Sequence, residues 1–175
     1  MSDNQSSHSV RTRGMAMTAL FAALSIVFGY IEHLIPFDFG IPGVKLGLAN
    51  LVIVTMMYTF SKRQTLFVLF VRIFVCAMLF GNIYSLLYSL AGGVLSFGIM
   101  CVLKKIKGFS PIGVSIGGGV AHNIGQLAVA IIVLNSPNIA LYLPVLLISG
   151  GLTGGVIGTC ANTIINRLTK ADLTS

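Results

Sequence analysis

Basic residues in this chain gather at the ends of long apolar runs, and that placement leaves few folds open. Arg11 and Arg13 precede the first run, Lys62 and Arg63 separate the second from the third, Lys104, Lys105 and Lys107 close the fourth, and Arg167 and Lys170 close the last. If the N-terminus is cytoplasmic, all nine of these lie inside, out of eleven lysines and arginines in the chain. Lys45 then falls in an outer loop and Arg72 within a span. Such a bias is the topology signal of a multi-pass membrane protein, and six helices with both termini inside is the arrangement it predicts. Composition agrees: 55% of residues are hydrophobic, 9% are charged and mean hydropathy is +0.95, too few polar side chains to cover a soluble globule. The formal charge of +7 belongs to this topology and does not point to nucleic acid.

The run lengths divide the chain into a polar N-terminal tail over 1–12 expected to lack structure, one bundle over 13–168, and a short cytoplasmic tail over 169–175. Arg11 and Arg13 before an apolar run resemble a signal peptide, but no small-residue cleavage site follows, so the run reads as a retained first helix, about Gly14 to Ile31. Glu32 to Lys45 holds two prolines and two glycines and reads as a loop. Its Phe37, Phe39 and Ile41 suit either a lid folded over the bundle mouth or an interfacial loop with aromatic anchors. The remaining helices are expected near Val44–Phe60, Gln64–Phe80, Ile83–Leu103, Ser115–Val133 and Leu141–Ile165.

The fifth of these is the most informative. At about 100° per residue, Ser115, Gly119, His122 and Gln126 fall on one stripe with Asn123 beside it. Unpaired polar groups are costly in hydrocarbon, so the stripe is expected to face protein or a wet cavity, with the other helices enclosing this one. Gly117, Ala121 and Gly125 add a small-residue ridge for close packing. Arg72, at the centre of the third run, cannot shed its proton, and no Asp or Glu lies within any expected span. It therefore needs a ligand anion, acceptors such as Asn50, Asn82, Gln126 or backbone carbonyls, or a position near the headgroups from which it can snorkel. Tyr84 and Tyr88, four apart on the fourth helix, suit stacking on a planar ligand or anchoring at the interface. Arg72, His122, Asn123, Gln126, Asn82, Tyr84, Tyr88, Asn50 and Lys45 form the candidate solute-binding set. Ala16, Ala19 and Ala23 share one face of the first helix, with Thr18 and Ala22 alongside, a surface for packing within the bundle or for docking another helix.

Catalysis finds little support. Asp3, Glu32, Asp38 and Asp172 are the only acids, so no carboxylate pair or magnesium-binding cluster can be assembled within the bundle. His122 has no second ligand at metal-binding spacing, and Cys76, Cys101 and Cys160 read as membrane-buried thiols. There is no GxxxxGK[ST] phosphate loop, so any ATP is used by a partner.

Three runs, FGIPGVKLGLANLV (Phe39 to Val52), LFGNIYSLLYSLAGG (Leu79 to Gly93) and GGGVAHNIGQLAVA (Gly117 to Ala130), closely resemble the bacterial Gx transporter family, also catalogued as heptaprenyl diphosphate synthase component I. That family resembles the S components of energy-coupling factor (ECF) transporters. The resemblance implies a six-helix protein of the bacterial plasma membrane that captures a vitamin-like or cofactor-precursor solute from outside. It also implies association with a transmembrane coupling protein and two cytoplasmic ATPases, with Ala16, Ala19 and Ala23 on the docking face and the first outer loop as lid. The catalogue name implies instead a noncatalytic membrane partner of a prenyl diphosphate synthase in menaquinone side-chain synthesis. The aspartate-rich motifs of prenyl transfer are absent from this chain.

Overall fold

A computed structural model describes residues 2–34 and 47–171, with side chains from 12 onward. The described residues are all helical, without strands: α1 (Ser2–Leu34), α2 (Leu48–Thr59), α3 (Lys62–Phe80), α4 (Ile83–Leu103), α5 (Pro111–Leu134), a short 3-10 helix (Pro137–Tyr142) and α6 (Leu143–Lys170). The order and number match the six expected helices. The helical backbone of α1 extends back to Ser2, through the segment expected to lack structure, and no glycine or proline between Ser2 and Arg13 interrupts it.

Five helices are long and apolar enough to cross a bilayer, α2 being the exception. The sequence reading made α2 a full span from Val44, but its helix covers 12 residues, about 18 Å at 1.5 Å per residue, against a hydrocarbon core of about 30 Å. It runs antiparallel to α1. At its start the Leu48 N–H meets Glu32 near the end of α1, while Phe60, just past its end, packs edge-on against Phe21 with ring centroids 5.2 Å apart.

The short helix is also the middle of the molecule. Ile53, Val54 and Met56 have no exposed surface, and Ala49, Val52 and Met57 almost none. Phe21, Val68, Leu69, Ile73, Met100, Val114, Ala161 and Ile165 pack into the same core from the other helices. The expectation that the bundle encloses α5 is thereby corrected: α2 is the enclosed helix. A helix apolar around nearly its whole circumference can be surrounded by others, whereas α5, with Ile116, Ile124 and Ile132 exposed, must keep one flank toward lipid.

Local signals fix where the helices turn. Ser61 and Gln64 form a reciprocal capping box at the start of α3, and the Asn82 side chain accepts from Ser85 N at 2.8 Å to open α4. Ser110 caps α5, with Pro111 in its first turn, and Asn135 ends it at φ 46°. Between α5 and α6 the backbones nearly touch. A Cβ on Gly119 would run into the Gly150 carbonyl oxygen, and one on Gly154 would sit 2.7 Å from the Ser115 carbonyl oxygen. On the other flank of α5, a Cβ on Gly125 would come 2.7 Å from the carbonyl oxygen of Ala91 in α4. This close seating puts the polar stripe of α5 at the junction of three helices.

Candidate functional site

The six helices converge on one polar cavity of about 130 Å³. α1 supplies Glu32 and His33, α2 supplies Asn50, α3 supplies Arg72, α4 supplies Ser85 and Ser89, α5 supplies His122, Asn123 and Gln126, and α6 supplies Thr153. Each position has a local reason. Gly92 on α4 lacks the Cβ that would sit 2.9 Å from the Cε1 of His122 and from the Cγ of Gln126, so α4 can lie directly over both side chains. Gly29 does the same between α1 and α3, where a Cβ would meet the Cys76 sulfur at 2.7 Å. At the rim, Phe80 stacks on His33 with centroids 5.7 Å apart and meets Tyr30 at a tilt with centroids 4.8 Å apart, joining the ends of α1 and α3.

Arg72, Asn50, His122, Asn123 and Gln126, drawn from three helices, therefore share one space. Of the stripe read on α5, Ser115 is the exception: it is fully buried against Gly154 and Gly158 and does not line the cavity. Asn123 has a second role, because its Nδ2 donates to the Leu146 carbonyl at 2.7 Å and tethers α5 to α6. Asn82, Tyr84 and Tyr88 lie elsewhere, around a larger and mostly apolar cavity of about 500 Å³ formed by α4, α5, the 3-10 helix and the start of α6. Lys45, with Phe37, Phe39 and Ile41, lies outside the described residues. Ala16, Ala19 and Ala23 are exposed on α1, whereas Thr18, set beside them by the sequence, turns inward and accepts from Gln64 Nε2 at 3.0 Å.

Glu32 is the residue that sequence reasoning placed wrongly. Read as part of an outer loop, it lies instead on α1, within a candidate span, and its carboxylate acts electrostatically on Arg72 across the cavity. An acid thus does face the arginine across the cavity, and the two charges offset each other within an otherwise apolar bundle. One oxygen of Glu32 is engaged by the Leu48 N–H at 2.8 Å. Ser85, Ser89 and Thr153 were also missed, being short hydroxyl residues that carry no distinguishing pattern in an apolar run. Among the described residues no group of three His, Cys, Asp or Glu is placed to hold a metal ion.

Chemically, the cavity offers a guanidinium, a carboxylate, imidazoles, amides and hydroxyls within an apolar bundle. That is a set for orienting a polar head group by hydrogen bonds. A family model described as heptaprenyl diphosphate synthase component I matches residues 21–164. The chain belongs to this family. The heptaprenyl diphosphate synthase component I match runs from within α1 to near the end of α6, so it spans every side chain named in the cavity. No curated protein and no solved structure matches the chain.

Proposed function

We propose that this multi-pass membrane protein is the solute-binding subunit of an ATP-driven uptake system of the ECF type in a bacterial plasma membrane. The observation that carries this reading is the convergence of all six helices on one polar cavity holding Arg72, Glu32, His122 and Gln126. A bundle built only to scaffold a partner has no use for charge gathered at the meeting point of every helix, since each charge in an apolar bundle costs insertion energy. In this reading the solute enters from the side opposite the basic turns, its polar group is held by Arg72 and the α5 side chains, and both termini are cytoplasmic. A transmembrane coupling protein docks on the exposed Ala16, Ala19 and Ala23 of α1, and two ATPases on that partner supply the work. The chain itself performs no chemistry and binds no cofactor.

The experiment is purification from the native membrane in mild detergent, followed by native mass spectrometry for a retained small molecule and identification of copurifying subunits. Ligand-free protein that copurifies with no ATPase overturns the reading.

A second reading rests on the family's description: a noncatalytic membrane partner of heptaprenyl diphosphate synthase. Stoichiometric copurification with a soluble synthase carrying aspartate-rich motifs, and loss of its activity when this chain is deleted, would favour it.

A further inference from the structure

The polar cavity is small for a ligand pocket. Ligand pockets commonly measure about 300–1,000 Å³, and about 130 Å³ accommodates a head group and little else. The apolar cavity of about 500 Å³ lies next to it, and Ser85, Ser89, Asn123 and Gln126 line both. Asn123 is held in this shared wall by its bond to the Leu146 carbonyl, and Leu146 itself lines the apolar side. The two spaces are therefore neighbouring compartments with a common polar partition.

Their linings differ in kind. The first holds the guanidinium of Arg72, and one oxygen of its facing carboxylate, Glu32, is already engaged by Leu48 N–H. The second is walled by Tyr88, Leu127, Ala130, Leu134 and Leu146 and contains no charged side chain among the described residues. An apolar groove that served only bilayer lipid would have no reason to abut a charged chamber.

We infer that the bound solute is an amphiphile with an anionic head at Arg72 and a slender apolar body that passes the Gln126 partition into the second cavity. This rests on the solute-binding reading above and deepens it. A compact polar solute would leave the larger compartment empty, and a wholly apolar one would offer Arg72 and Glu32 no polar group.

The test uses the full-length protein in phosphatidylcholine nanodiscs titrated with ethyl, butyl and hexyl phosphate. Each methylene buried in the second cavity is expected to tighten binding by up to about fourfold, so butyl phosphate should exceed ethyl phosphate by tenfold or so. Ala130→Phe, which fills that cavity, should leave ethyl phosphate within twofold and abolish the chain-length gain. Leu134→Trp, at a position already exposed, gives the same result if Ala130→Phe does not fold. Equal affinity for ethyl and hexyl phosphate in the parent, or a gain that persists in both filled variants, overturns the two-compartment inference while leaving solute binding intact. Failure of every alkyl phosphate, ethyl included, overturns the anion-binding reading on which it rests. Displacement of hexyl phosphate as phosphatidylglycerol replaces phosphatidylcholine assigns the second cavity to a bilayer lipid and overturns its assignment to a solute.

Discussion

The Oε1 atom of Glu32 accepts a hydrogen bond from the backbone N–H of Leu48 at 2.8 Å, so a side chain near the end of one helix caps the start of the next. The need for it is local. Gly47, the residue preceding α2, sits in the left-handed region at φ 72° and has no side chain to offer. Glu32→Ala is expected to destabilise the protein by about 1.5–3 kcal/mol, the scale of a hydrogen bond to a charged group. Glu32→Gln keeps an acceptor and should cost less than half of that. Thermal unfolding in detergent, compared across the two variants, reads the difference; equal losses would remove the cap from the account.

Arg72 faces that same carboxylate, and the two should behave as a coupled pair. Arg72→Gln leaves Glu32 without its facing cation, and Glu32→Gln does the reverse. Their losses in unfolding free energy are expected to exceed the loss in the double variant, with a coupling energy of at least about 0.5 kcal/mol. Arg72→Lys should not restore binding of an alkyl phosphate, because an ammonium lacks the planar fork of donors. Strict additivity in the stability cycle would show that the two charges act separately.

Much of this site was legible in the sequence, and the reason is periodicity. His122, Asn123 and Gln126 stand out because a polar group in an apolar helix has to face something, and Arg72 and Asn50 stand out for the same reason. Glu32 did not, because Pro36 and the glycines after it marked the whole of Glu32 to Lys45 as loop, whereas α1 runs on to Leu34. Helical periodicity tells which face is polar and cannot tell which helix lies at the centre. That depends on which apolar surfaces meet, and α2, apolar around nearly its whole circumference, carries the signal only in the absence of a polar face.

The glycines along α5 and α6 divide into those that carry the packing and those that do not. Gly119→Ala should cost about 1–3 kcal/mol or prevent folding, because the new methyl group would collide with the Gly150 carbonyl, a backbone atom that cannot move aside. Gly151→Ala meets open space and is expected to be neutral or to stabilise by up to about 1 kcal/mol through helix propensity. Melting temperatures of the two variants should move in opposite directions or, at the least, differ by several degrees.

Lys104, just beyond α4, donates from Nζ to the Met57 carbonyl at 2.5 Å and lies 4.6 Å from the centroid of the Tyr58 ring, closing the far end of α2. Burial holds its ammonium below the ordinary lysine range, and the nearby charge of Lys62 adds to this. Between the lowered folded value and the unfolded value of about 10.4, the unfolded chain binds more protons, so this residue's contribution to stability improves as pH rises through that window. Against a Lys104→Met reference, the parent should gain in melting temperature on going from neutral pH to about pH 10. A parent that loses ground instead would mean that the ammonium contributes more through its contacts than burial costs it.

Orientation is open to a direct measurement. With Cys76, Cys101 and Cys160 replaced by alanine, a cysteine at Ser136, in the turn between α5 and the 3-10 helix, should react with an impermeant maleimide on intact cells. One at Lys105 should react only after the membrane is opened. The opposite pattern would invert the arrangement inferred from the basic turns.

The burial of α2 bears on how the chain is put into the membrane. A stretch of 12 helical residues is short for a segment that must be recognised and released into lipid alone, and only Phe60 and Ser61 separate it from the 19-residue α3. Inserting as a hairpin with α3 answers both difficulties, since the longer partner carries the shorter one across. The centre of the finished protein would then be laid down early in synthesis, and α4, α5 and α6 would assemble around a core already waiting for them.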